Sequence, residues 1–244
     1  MSLYLEHITQ RFGQTLALND IDLEIRNGEF LAILGPSGCG KSTTASLLMR
    51  FCDAAAGHIY MDGKDYHSMK PEELRKHIAM VPQQVNLFSG TIRENLLLAD
   101  PDADDQTLME AVKEAGLLKF VQSLEKGLNS DVGNAGASLS GGQRQKIGIA
   151  RALLSKAEYM IFDEATSSVD PESEKEIWET IGHLAHTRTL IIISHRMSSV
   201  RGADCIYVLK DGRVAQQGDH ETLMAQDGLY HELVIRQQAM EVAE

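Results

Sequence analysis

A glycine-rich segment at residues 35–42 has the residue types and spacing of a phosphate-binding loop. It follows an apolar run and precedes a helical pattern, the setting that such a loop requires. Its backbone N–H groups can converge on phosphate oxygens, while Lys41 reaches the β- and γ-phosphates, Ser42 binds Mg²⁺ and Thr43 adds a hydroxyl at the α-phosphate. The loop residues are Gly35, Pro36, Ser37, Gly38, Cys39, Gly40, Lys41 and Ser42. The pattern favours a nucleotide site over an ordinary glycine-rich turn.

Two neighbouring acids, Asp163 and Glu164, end the apolar run at residues 159–162. A nucleotide hydrolase needs a carboxylate that holds Mg²⁺ and a base beyond the γ-phosphate. We therefore expect Asp163 to bind Mg²⁺ and Glu164 to activate the attacking water. The alternative is that the two acids only cap the helix that follows them.

The pentapeptide at residues 139–143 reads Leu-Ser-Gly-Gly-Gln. Ser140 and Gln143 match a helix capping box, which does not account for Gly141 and Gly142. Small residues at the start of a helix also form an anion site. Since the chain already has one phosphate loop, a second anion site predicts contact with another molecule's nucleotide. The expected assembly is a head-to-tail dimer with two shared sites.

Five short apolar runs without alternation predict strands that are buried on both faces. The runs lie at residues 30–34, 78–81, 159–162, 190–193 and 206–209. Helical patterns at residues 42–51 and 172–185 lie between several of them. This order favours an α/β fold, a phosphate-loop NTPase core with a mainly parallel sheet and helices on its faces.

The two ends of the chain are expected to be more antiparallel, with turns at Gly28 and at Asp211 and Gly212. Between them, in residues 91–155, the strand pattern is absent and apolar residues recur at helical spacing. These residues are Leu108, Ala111, Val112, Ala115, Leu118 and Val121. The spacing predicts an inserted helical subdomain.

The predicted organisation is a single domain over residues 1–244. The α/β core and an antiparallel β subdomain take residues 1–90 and 156–244, and the helical subdomain takes residues 91–155. A chain of 244 residues can bury a sizeable core but cannot hold a tandem pair of ATPase domains.

Composition limits the partners. The chain has 35 acidic and 23 basic side chains and no basic stripe, so nucleic acid is not expected to bind. Its three cysteines are far apart, which is typical of a reducing cytosol. No basic, apolar leader follows Met1 and no apolar stretch approaches ~20 residues, so we expect membrane association only through a partner chain.

These motifs, in this order and along nearly the whole chain, resemble those of the ATP-binding domain of ABC transporters. The resemblance implies ATP and Mg²⁺ as cofactors and a dimer with itself or with a homologous domain. Val81-Pro82-Gln83 is similar to the Q-loop of the family, which implies that Gln83 senses Mg²⁺ and couples to a membrane partner. Phe12 lies where the family places an aromatic ring that stacks on adenine.

Two further segments extend the resemblance. Ser167, Ser168, Val169 and Asp170 resemble the D-loop, which communicates across the dimer. Ser194-His195-Arg196 resembles the switch region, whose histidine contacts the γ-phosphate. The catalytic residues that the resemblance implies are Lys41, Gln83, Glu164 and His195. ATP then holds the dimer together, and hydrolysis releases it.

Longer segments indicate which branch of the family the chain resembles. Residues 83–95, 163–170 and 212–218 resemble exporters, whereas residues 11–13 and 28–44 resemble importer ATPases of the sugar-uptake kind. Asn134 stands where exporters commonly have a glutamate, a departure that bears on coupling to a membrane domain. We predict the ATP-hydrolysing part of an exporter-type transporter, on the cytoplasmic, inner face of the membrane through a separate or removed transmembrane domain. A stand-alone subunit, an excised domain and an engineered hybrid all fit.

Two functions of other classes are the alternatives. A soluble ABC-type ATPase could remodel a non-membrane partner, but the long coiled-coil heptads of chromosome-maintenance relatives are absent. A simple nucleotide kinase would share the phosphate loop but have no use for the pentapeptide.

Three other groups of residues have simpler interpretations. Asp100, Asp102, Asp104 and Asp105 lack the glycine and glutamate of a calcium loop, so we expect a solvated helix start. The pair His183 and His186 has no third metal ligand nearby in sequence. For Cys39, the charge at a helix start could lower the thiol pKa and make it reactive, or the residue is only a small filler.

Overall fold

The computed structural model describes residues 2–167, 169–185 and 187–241. Ser168 of the expected D-loop and His186 of the histidine pair lie outside the described residues. The fold is α/β, as predicted, with two sheets and helices packed on them.

The strands form one antiparallel sheet and one mainly parallel sheet. They are β1 (Ser2–Phe12), β2 (Thr15–Arg26), β3 (Phe30–Leu34), β4 (Ala56–Met61), β5 (Lys64–Asp65), β6 (Ile78–Val81), β7 (Tyr159–Asp163), β8 (Thr189–Ser194), β9 (Cys205–Lys210) and β10 (Arg213–Gly218). The smaller sheet has the order β2-β1-β4-β5 and is antiparallel. The larger has the order β10-β9-β3-β8-β7-β6, with only β10 antiparallel to its neighbour. The five predicted apolar runs are strands of the larger sheet, which confirms that prediction.

The helices connect and cover these strands. They are α1 (Lys41–Leu48), α2 (Pro71–Leu74), α3 (Ile92–Leu97), α4 (Asp105–Glu114), α5 (Leu118–Ser123), α6 (Gly141–Leu154), α7 (Pro171–Ala185), α8 (Met197–Val200), α9 (His220–Met224) and α10 (Leu229–Glu241). Helices α3 to α6 follow one another without an intervening strand in the described residues, apart from a single bridge between Thr91 and Asp131. The proposed subdomain boundaries themselves stay a prediction.

The parallel strands of the larger sheet are buried on both faces because their side chains alternate between hydrophobic clusters on its two sides. On β8, Leu190 and Ile192 join the cluster that contains α3 to α6, whereas Ile191 and Ile193 join the cluster shared with the antiparallel sheet and α1. Because β3, β7 and β8 are parallel, their carboxyl ends lie at the same edge of the sheet. The phosphate loop, Glu164 and His195 follow these ends and therefore lie on the same side.

The structure adds detail at two glycines. The apolar repeat from Leu108 to Val121 is not one helix: α4 ends before Gly116, which has φ +68°, and α5 begins after it. A left-handed glycine of this kind stops a helix. The predicted turn at Gly28 does separate β2 from β3, but these strands belong to different sheets, and the first hairpin turns at Gly13. The predicted turn at Asp211 and Gly212 does join the antiparallel pair β9 and β10.

Candidate nucleotide-binding site

The phosphate loop connects the end of β3 to the start of α1. Gly40 has φ +106°, and a Cβ at this position would lie 2.6 Å from the carbonyl oxygen of Ala17, so glycine is required. Among the described side chains, none caps the N-terminus of α1. The first N–H groups of the helix can therefore bind an anion in the loop.

Lys41 contributes a buried positive charge to this loop. Only 6% of its surface is exposed, and its Nζ donates to the carbonyl oxygens of Gly35 at 2.6 Å and Pro36 at 3.1 Å. These contacts satisfy the ammonium group, as a buried charge requires. The loop thus combines backbone N–H dipoles with the positive charge of the Lys41 ammonium group.

A cavity of about 280 Å³, here called the phosphate-loop cavity, opens at this loop. It is lined by Thr15, Ala17, Ser37, Gly38, Gly40, Lys41, Ser42, Thr43 and Glu164. The sequence reasoning missed Thr15 and Ala17, which lie at the start of β2 just after the hairpin turn. The only signal for them was their nearness to Phe12, which pairs with Thr15 across the hairpin and is 53% exposed.

Ser42 and Asp163 meet although they are far apart in sequence. Ser42 Oγ donates to Asp163 Oδ1 at 3.3 Å. Burial raises the pKa of Asp163 and the charge of Glu164 adds to the rise, while the hydrogen bond from Ser42 and the charge of Lys41 oppose it. A hydroxyl and a carboxylate are hard oxygen donors, so this pair fits Mg²⁺.

Glu164 and His195 face each other at the ends of β7 and β8. His195 Nδ1 lies 3.3 Å from Glu164 Oε1, and the Glu164 N–H donates to the Ile193 carbonyl at 2.8 Å. Glu164 has φ +48°, a conformation that a residue with a Cβ seldom adopts. Such strain tends to occur at functional sites, and here it directs a carboxylate toward the phosphate-loop cavity.

The interpretation of Asp163 and Glu164 as helix caps is wrong. The next helix, α7, begins at Pro171, and Asp170 caps it by accepting the Ser173 N–H at 3.0 Å. This hydrogen bond lowers the pKa of Asp170. Asp170 therefore has a structural role within the chain, and its contact with ATP stays a prediction.

Glu174 on α7 connects the two segments that carry Glu164 and His195. Its Oε1 accepts from Thr166 Oγ1 at 3.0 Å, and its Oε2 accepts from the Arg196 guanidinium. Thr166 follows Glu164 by two residues, and Arg196 directly follows His195. No sequence signal identified this network, because it depends on where α7 packs.

The pentapeptide begins α6, and its capping box is present. Ser140 Oγ accepts the Gln143 N–H at 3.2 Å, and Gln143 Oε1 accepts the Ser140 N–H at 2.9 Å. Gly142 packs so tightly on α7 that a Cβ would lie 2.5 Å from the Cβ of Ser173. Capping and packing therefore account for Ser140, Gly142 and Gln143 within one chain, and Gly141 is left for another purpose.

A second cavity of about 220 Å³, here called the pentapeptide cavity, lies beside the start of α6. It is lined by Gln83, Gln84, Val85, Asn86, Ala135, Gly141, Arg144, Gln145 and Val169. Gln83 Nε2 donates to Ser167 Oγ at 2.9 Å, so the structure brings Gln83 to this cavity rather than to Ser42 and Asp163. Within the described residues the two cavities share no lining residue.

Cys39 and the aspartates have simple roles. Cys39 is a 3% exposed residue of the loop, and burial raises the pKa of its thiol while Lys41 opposes the rise, which favours the small filler over the reactive thiol. Asp104 caps α4 by accepting the Thr107 N–H at 2.8 Å, and Asp105 pairs with Arg93 at 2.5 Å. The expected helix start is confirmed.

A family model described as "ABC transporter" matches residues 18–167, well over half of the chain. The chain belongs to the ABC transporter family. The match to this ABC domain contains the phosphate loop, the pentapeptide and both acids at the end of β7.

The relatives of the ABC domain include exporter-type transporters. It is 44% identical over 218 residues to the ATP-dependent lipid A-core flippase 1 of Colwellia psychrerythraea, covering 89% of this chain and 36% of the flippase. It is 43% identical over 219 residues to the ABC multidrug transporter atrD of Emericella nidulans, covering 89% of this chain and 16% of that protein. The chain thus spans at most about a third of the length of these two relatives.

The fold of the ABC domain matches a solved exporter. The structure of a bacterial Atm1-family ABC exporter with ATP bound superposes with a TM-score of 0.91 and 38% identity, covering 97% of this chain and 41% of that one. The ABC domain is therefore an ATPase related to exporters, which favours the exporter interpretation over a soluble remodelling ATPase. In the described part of the chain, no helix has the length and apolar character needed to cross a membrane.

Proposed function

We propose that two ABC domains, either two copies of this chain or one copy and a homologous domain, close head to tail around two ATP molecules. Each ATP lies in the phosphate-loop cavity of one domain and meets the pentapeptide of the other. The observation that carries this proposal is the separation of the two cavities: within the described residues, the pentapeptide does not line the cavity that holds Lys41. A second anion site that is remote from the first serves another molecule's phosphate.

Within one domain the groups around ATP have distinct tasks. The adenine stacks on Phe12, whose exposed ring lies at the end of β1 beside the cavity. The loop N–H groups, Lys41 and Thr43 bind the phosphates. Ser42, Asp163 and Gln83 would hold Mg²⁺, which would neutralise negative charge on the phosphates. Gln83 donates to Ser167 Oγ in this structure, so it must break this hydrogen bond to reach the metal site. Its side chain therefore changes position when nucleotide binds.

The hydrolysis step uses Glu164 and His195. Glu164 accepts the proton of the attacking water, and the strained backbone at this residue fixes the direction of its carboxylate. His195, 3.3 Å from that carboxylate, contacts the γ-phosphate, and Lys41 stabilises the charge that develops on it. Asp170 and the pentapeptide of the second domain complete the site, so cleavage removes the bridge between the two domains.

The work of this cycle is done on a transmembrane domain. The related flippase is ATP-dependent, the related multidrug transporter is a transport protein, and both are longer than this chain. We therefore infer that the ABC domain lies on the cytoplasmic face of a membrane, bound to an exporter-type membrane domain. The opening and closing of the dimer moves that domain between two states.

Complementation between two inactive variants tests the shared site. Lys41→Ala removes the loop cation, and Gly141→Asp places a negative charge at the start of α6, where it repels phosphate but favours the helix. Each variant alone should lose ATPase activity. Mixing them should restore activity, since each mixed dimer contains one site with an intact Lys41 and an intact facing Gly141.

This mixing experiment distinguishes an ATP site shared by two chains from an ATP site formed within one chain. If both groups served the same ATP in a single chain, the mixture would stay inactive. A mixture of Lys41→Ala with Glu164→Gln is the matched control: both changes lie on the same side of the site, so no mixed dimer contains an intact site and activity should not return.

A further inference from the structure

Three metal-binding side chains meet on the β4–β5 hairpin, on the antiparallel sheet and apart from both cavities. Asp65 accepts from His58 Nδ1 at 2.7 Å through Oδ2 and from His67 Nδ1 at 3.0 Å through Oδ1. The three ligand atoms of these side chains lie within 4.8 Å of one another. We propose that His58, Asp65 and His67 form a binding site for a divalent transition-metal ion, with Zn²⁺ as the ion that best fits the donors.

The ligand set matches this chemistry. Two imidazole nitrogens and one carboxylate oxygen are donors that Zn²⁺ prefers, and three protein ligands leave the fourth position to water. Metal–ligand bonds near 2.1 Å in a tetrahedron place the donor atoms about 3.4 Å apart. The two imidazole nitrogens lie 2.7 and 3.0 Å from different oxygens of Asp65, so these separations need to widen by about 0.7 and about 0.4 Å.

The site has room to accept an ion. The side chains of His58 and His67 are 56% and 51% exposed, whereas Asp65 is 28% exposed between them. The two imidazoles can therefore rotate outward while the carboxylate stays in place. Both Nδ1 atoms now face the carboxylate, and a metal ion takes the place of the protons between them.

The backbone already holds the ligands in position. Asp65 pairs with Tyr60 across the hairpin, and the ring of Tyr60 stacks on His58 with centroids 5.9 Å apart. The Asp65 carboxylate also accepts the His67 N–H at 2.7 Å, which fixes the turn that carries His67. Arg50 anchors this turn by donating to the Tyr66 carbonyl at 2.5 Å. These contacts order Asp65 and the turn that carries His67 before an ion binds, which favours binding.

Among the residues that the structure describes, two other histidines near carboxylates do not match this arrangement. His7, Asp20 and Asp22 also come together, but they supply one imidazole and are all exposed. His77 lies near one carboxylate only, with Nδ1 3.6 Å from Glu158 Oε1. These two histidines are therefore suitable control positions.

Titration of the full chain, without a polyhistidine tag, tests the proposal. Calorimetry with ZnCl2 should give one-to-one binding to the wild-type chain, and the same binding to His7→Ala and His77→Ala. His58→Ala and His67→Ala should each lose it. Zn²⁺ should also raise the Tm of the wild-type chain but not the Tm of those two variants, because only a bound ligand stabilises the folded state.

Absorption spectra with Co²⁺ in place of Zn²⁺ identify the donors. A tetrahedral site with nitrogen and oxygen ligands should give visible ligand-field bands without a thiolate charge-transfer band, which excludes Cys39, Cys52 and Cys205. If a histidine-to-alanine variant does not fold, His58→Gln and His67→Gln take its place. The proposal is overturned if the wild-type chain shows no one-to-one binding, if binding survives at both altered histidines, or if the Co²⁺ spectrum shows thiolate ligation.

Discussion

Two helices of this chain, α1 and α6, start at glycine-containing segments, but their N-termini are built differently. The start of α1 has no side-chain cap among the described residues, and Lys41, Ser42 and Asp163 surround it. The start of α6 is closed by the reciprocal hydrogen bonds of Ser140 and Gln143. The first terminus therefore offers a cation and metal-binding oxygens, whereas the second offers only a hydroxyl and the helix dipole.

The basic side chains near the start of α6 are engaged elsewhere. Arg144 donates to the carbonyl oxygens of Leu139 at 2.5 Å and Gly136 at 3.3 Å, and Lys146 pairs with Glu176 on α7. A helix terminus without a free cation binds a triphosphate weakly by itself, since dipole contributions are small. This difference supports a division of labour in which α1 binds ATP and α6 completes the site of a second molecule.

The largest expected effect comes from removing the base beside α1. Glu164→Gln should lower the ATPase rate about 10²- to 10⁴-fold, because the amide cannot accept the proton of the attacking water. ATP binding should persist, so size-exclusion chromatography with ATP should show an accumulated dimer. Glu172→Gln, an exposed acid on α7, is the control and should keep full activity. Undiminished turnover in Glu164→Gln would remove this residue from its proposed role.

The two termini can be separated by measuring ATP affinity at a protein concentration that keeps the chain monomeric. Lys41→Ala should weaken binding of a fluorescent ATP analogue about tenfold to a hundredfold, the worth of a charge-assisted contact. Gly141→Asp should leave this affinity unchanged although it abolishes turnover. Equal losses of affinity in both variants would contradict the division between α1 and α6.

Substitution of Glu174 on α7 tests how far catalysis at the α1 site depends on the contacts of this side chain with Thr166 and Arg196. Glu174→Gln removes the charge that holds Arg196 beside His195, so kcat should fall about tenfold. The KM for ATP should stay close to wild type, because Glu174 contacts Thr166, Trp178 and Arg196 rather than the phosphate loop. The matched Glu172→Gln variant should show no change in kcat. A parallel rise in KM would indicate a general structural defect instead.

The smallest effect concerns the thiol inside the phosphate loop. Because burial raises the pKa of Cys39, its thiolate forms only at a higher pH than that of a free cysteine, so alkylation at neutral pH should be slow and should accelerate as pH rises. Mass spectrometry of iodoacetamide-treated protein with Cys52→Ser and Cys205→Ser measures Cys39 alone. The same protein unfolded in urea is the control. Rapid modification of the folded protein would show that the loop opens readily.

Much of the fold follows from local sequence. The strands β3 and β6 coincide with their apolar runs, since residues buried on both faces of a parallel sheet must be apolar without interruption. The helical spacing from Leu108 to Val121 divides into α4 and α5, because apolar spacing continues through a break that the backbone conformation of Gly116 creates. Gly28 lies in the predicted turn, but a turn residue does not specify which sheet the next strand joins.

The sequence alone determined the chemical groups of this protein: a phosphate loop, an acid pair after a buried strand and a second small-residue helix start, whose types and spacing are local properties of the chain. Only the tertiary structure decided which groups meet. It joined Ser42 to Asp163, linked Arg196 to Glu174, buried Cys39 and assigned Gln83 to the pentapeptide cavity. These outcomes depend on how strands and helices pack across long sequence separations, and packing selects neighbours that residue spacing cannot specify.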